Sequence, residues 1–556
     1  MSKKLAITIA GAVSLGSYEA GVLYEVLDAI AQHNATPETS KDDRIVIDVL
    51  TGASAGGMTA IILAQKLLYS GDEFCGPYDN PLYNLWVKRI SLTGLQGTEE
   101  DEPATDSLFS SNLIETISRE ALKARYATSP PAAATQHPAV QGSLRVGVAI
   151  TNLNGVAYGY AVSPSGKFTY VDYGDQMTRE VVASKCDNPD FWEPLRQAAV
   201  ACGAFPVAFR VQDVSRSAKD EPDDYAGENL EPWDSEPTTF TYSDGGILQN
   251  QPLGIAKNLV DLIDQHKDQE KRYYLFVSPH AKDPAANDSF HAANSDYFRL
   301  AKRLIDVVMG QSGFQDWITA KGVNERVKLL DERAAGLKDA IKNGDIDVDA
   351  LAITATSLLK LFFPNKEHLS PGATGPENLG DAQARIGSQY AAEIGELTGK
   401  GQAGAFRDAV LAFETAAGLG ARDHMTIYGV IANSSELAGA ELQAFLGFFD
   451  QRFRDHDYDV GRKHAQAVLV DPALAESCGI GPLRYKGQDI RPIDSRLDGL
   501  KLKDVPAADL QAFKAGLKKR LNQMLREMWG PYLSLPAIPG ADLALDAALH
   551  YVIEKM

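Results

Sequence analysis

Apolar residues along the chain fall into two kinds of pattern. Continuous β-prone runs stand at residues 5–9, 45–50 and 144–150, with a fourth at 273–277. Unbroken runs of this length, rather than alternating ones, predict strands buried on both faces of a parallel sheet. Between the first two, Val22, Leu23, Val26, Leu27 and Ile30 recur at helical spacing within residues 18–32, so the chain opens as a β-α-β unit. A second helix is predicted over 57–68. After about residue 284 the strand signal fades and helical periodicity takes over, with 426–431 the main exception. The pattern predicts an α/β fold with a mainly parallel sheet flanked by helices over residues 1–283, then a mostly helical C-terminal region over 284–556. The clearest late helix, 506–528, carries Leu510, Phe513, Leu517, Leu521, Met524 and Met528 on one face. That stripe is expected to pack on the protein's own core. Lys514, Lys518, Lys519, Arg520 and Arg526 around it offer the alternative of a lipid surface.

Composition narrows the picture without changing it. At 556 residues, 44% hydrophobic and 23% charged, the chain is long enough for a large core plus a second region, and it is neither disordered nor fibrous in character. Its 74 acidic against 54 basic residues give a formal charge of -20, which argues against nucleic acid as a partner. Cys75, Cys186, Cys202 and Cys478 have no CxxC spacing, so neither a zinc site nor a disulfide framework is expected. Lys3-Lys4 before the apolar run 5–13 fits the basic and apolar parts of a secretory signal. A buried first strand running into a glycine turn is the preferred reading, because the motifs downstream use this segment. No apolar run approaches the roughly 20 residues that span a bilayer. A cytoplasmic location is expected, with peripheral contact to a membrane.

Gly52-Ala53-Ser54-Ala55-Gly56 fits G-x-S-x-G between a predicted strand and a predicted helix. A strand-to-helix elbow lifts a serine hydroxyl out of the sheet, and the helix N-terminus behind it favours developing negative charge. A chain this long contains about 0.2 such pentapeptides by chance at average usage, so the motif counts through its position. Gly11-Ala12-Val13-Ser14-Leu15-Gly16 follows the first strand and would present backbone N–H groups at the next helix. Acyl transfer needs that arrangement, with one oxyanion donor from Ala55, the residue after the serine, and others from this loop. For a base, Asp244 in Tyr242-Ser243-Asp244-Gly245-Gly246 could take the serine proton directly, although an isolated Asp-Gly more often marks a turn. The acids at 99–102 and 220–224 lack EF-hand spacing and read as solvated loops, and no metal or cofactor is expected.

Together these elements resemble the patatin-like phospholipases, acyl hydrolases that use a Ser-Asp dyad without a histidine. The resemblance runs from the glycine loop and Tyr18-Glu19-Ala20-Gly21-Val22-Leu23, through Gly52 to Gly56 and Ala201-Cys202-Gly203-Ala204-Phe205-Pro206, to Asp244-Gly245-Gly246 with Asn250 and Pro252. It covers about residues 4–280. A weaker match, Phe448-Phe449 with Arg452, Arg454, His456-Asp457-Tyr458 and Gly461-Arg462, is similar to a C-terminal segment of some bacterial patatin-like proteins. The resemblance implies a catalytic domain over 1–283, Ser54 as nucleophile, Asp244 as base, and an oxyanion hole at Gly11, Ala12, Val13 and Ala55. The implied substrate is an acyl ester of a phospholipid or lysophospholipid. The chain departs from the family in the loop, where three glycines and a basic residue are reduced to one glycine with Leu15 in the basic position. Three alternatives stand beside this reading: an α/β-hydrolase esterase with a Ser54/Asp244/His280 triad, an inactive lipid-binding protein, and an acyltransferase.

Overall fold

The computed structural model describes residues 2–98, 102–122, 135–163, 166–183, 188–225, 229–264, 272–279, 290–291, 297–363, 378–417, 419, 427–440, 442, 445–470 and 483–529. Its first half is built on one mixed sheet. The predicted runs form β1 (Lys3–Ile9), β2 (Ile45–Gly52), β3 (Ser143–Ser163) and β7 (Arg272–Ser278), and all four pair in parallel as neighbours in the order β3-β2-β1-β7. α1 (Gly16–Ala35) crosses from β1 to β2, and α2 (Ala55–Tyr69) leaves β2. β1 and β2 are buried throughout most of their length, as two-sided cover by helices requires. The segment 3–9 that could be read as a signal is therefore the strand between β2 and β7.

Three antiparallel strands complete the sheet beyond the parallel core. β4 (Gly166–Val182) pairs with β3 along most of its length, while β5 (Gln212–Arg216) and β6 (Thr238–Asp244) continue the order on the far side of β3. None of the three is among the runs that the apolar pattern predicts. β4 alternates polar and aromatic residues along an exposed arm, and β5 is short and ends where a stretch rich in acids and prolines, 215–237, begins.

The acids at 220–224 divide: Asp220 and Asp223 are exposed, as a solvated loop requires, and the other two are not. Glu221 and Asp224 are buried around Arg216, whose guanidinium donates to Glu221 at 2.7 Å and to Asp224 at 3.0 Å and is itself inaccessible. Glu102 is buried likewise, accepting from the Ser110 hydroxyl and the Asn112 N–H at 2.8 Å each, at the start of the helix Ser111–Leu122. Residues 99–101 lie outside the described part. Charge runs mark solvent only when no buried partner exists, and here Arg216, Ser110 and Asn112 stand within ten residues of the acids they bind.

The chain divides into two compact units, and not by one cut near residue 283: residues 1–259, 272–314 and 427–556 form one, and 260–271 with 315–426 the other. The return of the C-terminal part to the first unit has a clear basis. Strand β8 (Ile427–Ile431) pairs in parallel with β7, and the helix Gln451–Val470 lies along α1. Glycines set that crossing, because a Cβ on Gly21 would stand 2.1 Å from the Tyr458 carbonyl oxygen and one on Gly461 2.2 Å from that of Tyr18. An inaccessible ion pair, Arg462 Nε to Glu25 at 2.6 Å, closes the contact. The late helix Ala507–Trp529 also packs on this unit's core through Phe513 and Leu517. Its Arg520 donates to the carbonyls of Glu102, Pro103 and Ser107 and is buried, so that cation does not face a lipid surface. The second unit is helical, with a core of Ala334, Leu359, Ile386, Phe406 and Val410 and a buried Arg385–Glu414 pair at 2.6 Å.

Candidate active site

The elbow forms where strand β2 turns into α2. Ser54 caps that helix with φ 50° and ψ −127°, a left-handed backbone that a side chain adopts only when its surroundings hold it there. The flanking glycines permit the turn to lie against β1: a Cβ on Gly56 would stand 2.4 Å from the carbonyl oxygens of Ile9 and Ala10. Ser54 is 7% exposed, so its hydroxyl stands at a nearly closed surface.

Asp244 ends β6 and reaches Ser54 from across the sheet. The Ser54 hydroxyl donates to Asp244 Oδ2 at 2.7 Å, and the Gly246 N–H donates to Oδ1 at 2.7 Å. The backbone of Asp244 is fixed too, its carbonyl accepting from the Thr151 hydroxyl at 2.8 Å and its N–H donating to Ala204 at 3.0 Å. The Ala201 to Pro206 segment thus holds the aspartate in place. Burial pushes the Asp244 carboxyl up to about 7, although the hydrogen bonds from Ser54 and Gly246 act in the opposite sense.

The glycine loop lies against both residues, but not all of it faces the serine. The Gly11 N–H donates to the Asn250 carbonyl at 3.1 Å, so it is committed to holding the loop to the aspartate turn and is not an oxyanion donor. Asn250 sits between the two, since a Cβ on Gly11 or Gly246 would stand 2.0 and 2.7 Å from its Oδ1. Ala12, Val13 and Ala55 remain as candidates. Val13 has φ 49°, a left-handed conformation that glycine adopts freely and a β-branched residue resists. The loop keeps a glycine-like bend at a position where this chain has no glycine. The expected partner His280 lies outside the described residues.

Beside Ser54 opens an apolar cleft that the sequence reading missed. Its walls include Met58, Trp86, Phe205, Phe209, Phe445 and Phe448, and it leaves about 450 Å³ of empty space, open solvent at its mouth included. The run Phe445-Leu446-Gly447-Phe448 and the Phe205-Phe209 pair were the available signals, but aromatic residues at such spacing more often fill a core. Here they do both, because Phe205 and Phe209 pack ring to ring with Phe445 at 5.4 and 6.0 Å. Among the described residues no cluster of three or more His, Cys, Asp or Glu side chains could hold a metal ion. Cys75 and Cys202 are unpaired, and Cys186 and Cys478 lie outside the described residues.

The family model for patatin-like phospholipases matches residues 7–257. Those residues are a patatin-like phospholipase domain. Its span takes in both Ser54 and Asp244, while Phe445 and Phe448 of the cleft lie beyond it. Two curated relatives match over part of their length. An uncharacterized protein y4iI of Sinorhizobium fredii is 25% identical over 326 residues, covering 46% of this chain and 45% of that one. An uncharacterized membrane protein Rv3479 of Mycobacterium tuberculosis is 26% identical over 333 residues, covering 54% and 30%. The chain thus spans less than half the length of these relatives. A solved structure, VipD from Legionella pneumophila, aligns over 87% of this chain and 89% of its own at 11% identity, with a TM-score of 0.23. That score is too low for the likeness to bear on the fold. In the described residues no helix is long and apolar enough to cross a membrane.

Proposed function

We propose that the patatin-like domain is a lipid acyl hydrolase that cleaves acyl esters of phospholipids or lysophospholipids through Ser54 and Asp244. The observation that carries this reading is the 2.7 Å hydrogen bond from Ser54 to a buried Asp244 at the mouth of an apolar cleft. Asp244, poised at about 7, takes the hydroxyl proton as Ser54 Oγ attacks the ester carbonyl. The tetrahedral oxyanion is held by the amides of Ala55, Ala12 and Val13, and the N-terminus of α2 favours its charge. The ester bond then breaks, Asp244 returns the proton to the departing alcohol, and the acyl group stays on Ser54. Water then gives a proton to Asp244 and attacks the acyl carbonyl, the bond to Ser54 Oγ breaks, and Asp244 passes that proton to Oγ as the fatty acid leaves. The cleft walls supply the acyl chain with a dry apolar surface.

Product analysis on a panel of phospholipids and lysophospholipids, with Ser54→Ala as the control, tests the reading. Release of fatty acid by the parent and none by the variant is expected. A parent that neither releases fatty acid nor is labelled at Ser54 by a fluorophosphonate would make the domain a lipid-binding protein instead.

A further inference from the structure

The hairpin of β3 and β4 continues beyond the sheet, with Val156 and Tyr158 still packed on the core and the facing stretch of β4 exposed. β3 pairs with β2 in parallel, Gly52 standing opposite Val148, so everything on β3 after Thr151 extends past the edge of the sheet at which Ser54 opens. From Val156 to Ser163 it continues in register with β4, a length of roughly 25 Å at ~3.3 Å per residue. Its root is fixed to the candidate site, because Ile150 pairs with Asp244 and the Thr151 hydroxyl donates to the Asp244 carbonyl. An arm is therefore held by the same strand that positions the base.

Of the five aromatic residues among the exposed large hydrophobics of the described part, three lie on this arm. Phe168 is 57% accessible, Tyr173 49%, Leu153 48%, Val171 45% and Tyr170 36%. They occupy both faces: Tyr170 stacks on Tyr158 on one, while Val171 and Tyr173 cover Gly155 on the other. The β3 side is held to the body, the Gly159 N–H donating to the Asn229 carbonyl at 2.7 Å and the Glu231 N–H to that of Ala157 at 2.9 Å, while Phe168, Val171 and Tyr173 of β4 stay exposed. Charge is depleted at the same place. Residues 153–173, which take in all five of these apolar side chains, contain two charged ones, Lys167 and Asp172, in a chain where 23% are charged and the sum is -20; that share would put about five charges in such a stretch. The general acidity of the protein repels anionic surfaces, and this arm is where the repulsion is relieved. Exposed Phe and Tyr without net charge suit the boundary between acyl chains and headgroups, where an apolar ring can be buried and a phenol oxygen kept wet.

We propose that this arm docks the protein on a zwitterionic lipid surface, inserting the aromatic residues of β4 at the headgroup boundary and presenting the cleft to that surface. The purpose of the docking rests on the lipid-hydrolase reading; the docking itself does not. A loss of acidic repulsion joined to aromatic exposure predicts binding driven by burial rather than by charge, and so insensitive to salt.

The test floats the full chain, and a variant with Phe168→Ser, Tyr170→Ser and Tyr173→Ser, with phosphatidylcholine vesicles. The parent is expected to co-float at low and high salt alike, and the variant's partition coefficient to fall at least about tenfold. A parent that stays behind, a variant that floats as well as the parent, or binding that needs anionic lipid and vanishes with salt overturns the proposal. Hydrolysis of a soluble short-chain ester by the variant should equal the parent's, which shows that the fold survives. Absence of hydrolysis in both would sink the enzymatic reading and leave the vesicle result intact. A Phe168→Trp chain, compared with the parent by difference emission, should shift to the blue on adding vesicles; no shift overturns the proposal even if the triple variant misfolds. Size-exclusion chromatography covers the other occupant: conversion of a dimer to a monomer by the triple variant, with vesicle binding unchanged, would make the arm an interface between copies.

Discussion

Replacing Asp244 by Asn separates what the residue contributes to turnover from what it costs the fold. Burial lifts its carboxyl from an ordinary 3.8 to about 7. In the unfolded chain the group loses its proton above about pH 4. In the folded protein it keeps the proton until about pH 7, so stability falls as pH rises through that window and then levels off. A difference of about three pKa units at ~1.4 kcal/mol each makes the native state about 4 kcal/mol less stable near pH 8 than it would be with a neutral group of the same shape. Asn is such a group. Its carbonyl can accept from Gly246 as Oδ1 does, and its amide can donate to the Ser54 hydroxyl, so the geometry survives without the charge. Urea unfolding of parent and variant across pH 4.5 to 8.5 is the assay, since every other titrating group cancels in the difference. Asn should gain steadily over Asp with rising pH, by about 3 kcal/mol over that range, while ester hydrolysis is abolished. The parent's kcat/KM should rise to a plateau through about pH 7, when the base becomes ionised. A stability difference that does not vary with pH, or an Asp244→Asn chain that still turns over ester, would refute the reasoning.

Two further outcomes follow from the packing around α1. Glu19 is fully buried with neither oxygen hydrogen-bonded, and burial raises its carboxyl well above the ordinary 4.5. Glu19→Gln should therefore match the parent in thermal melts near pH 4 and exceed it increasingly toward pH 8, by up to about 1.4 kcal/mol per pH unit; a constant offset would count against the buried acid. Gly21→Ala should lower stability by about 1–3 kcal/mol despite alanine's better helix propensity, because its Cβ meets the Tyr458 carbonyl at 2.1 Å. Gly336→Ala, with no atom within 4 Å of the new Cβ, is the control and should gain about 1 kcal/mol in the same melts. Equal effects at the two positions would refute the close crossing.

The parallel strands were legible because each is a run of mostly apolar, β-prone residues, and the first two also end in a glycine turn. Ser54 and Asp244 were legible for a related reason: elbow chemistry is local, and both glycine flanks lie within a few residues of the reacting group. The placement of Gly11 was not, since the partner that occupies its N–H is a backbone carbonyl 239 positions away at Asn250. Arg216, Glu221, Asp224 and Glu102 failed for the opposite reason from the strands. A charged residue carries no sign in sequence of whether its counter-charge is water or another side chain, and local composition favoured water. The helix Gln451–Val470 gave a weak match that pointed to its existence but not to its seat. Only the paired glycines, Gly21 and Gly461, record that two helices meet there.

On the proposed reading, reaction and substrate are carried by different parts of the molecule. Ser54, Asp244 and the loop that faces them all lie within residues 7–257, which the family shares. The cleft that would receive an acyl chain is closed on one side by Phe445 and Phe448, which lie outside that span and reach Ser54 because β8 and the following helix return to the sheet. The docking arm lies within the span, yet its aromatic face is unrelated to the dyad's chemistry. A change at Phe445 can therefore alter which chain fits without touching the groups that move protons, and a change in the arm can alter which surface is visited without altering either. The family match over residues 7–257 is consistent with a serine attacking an ester, and on the proposed reading acyl length and headgroup would be decided by residues that the shared motifs do not include.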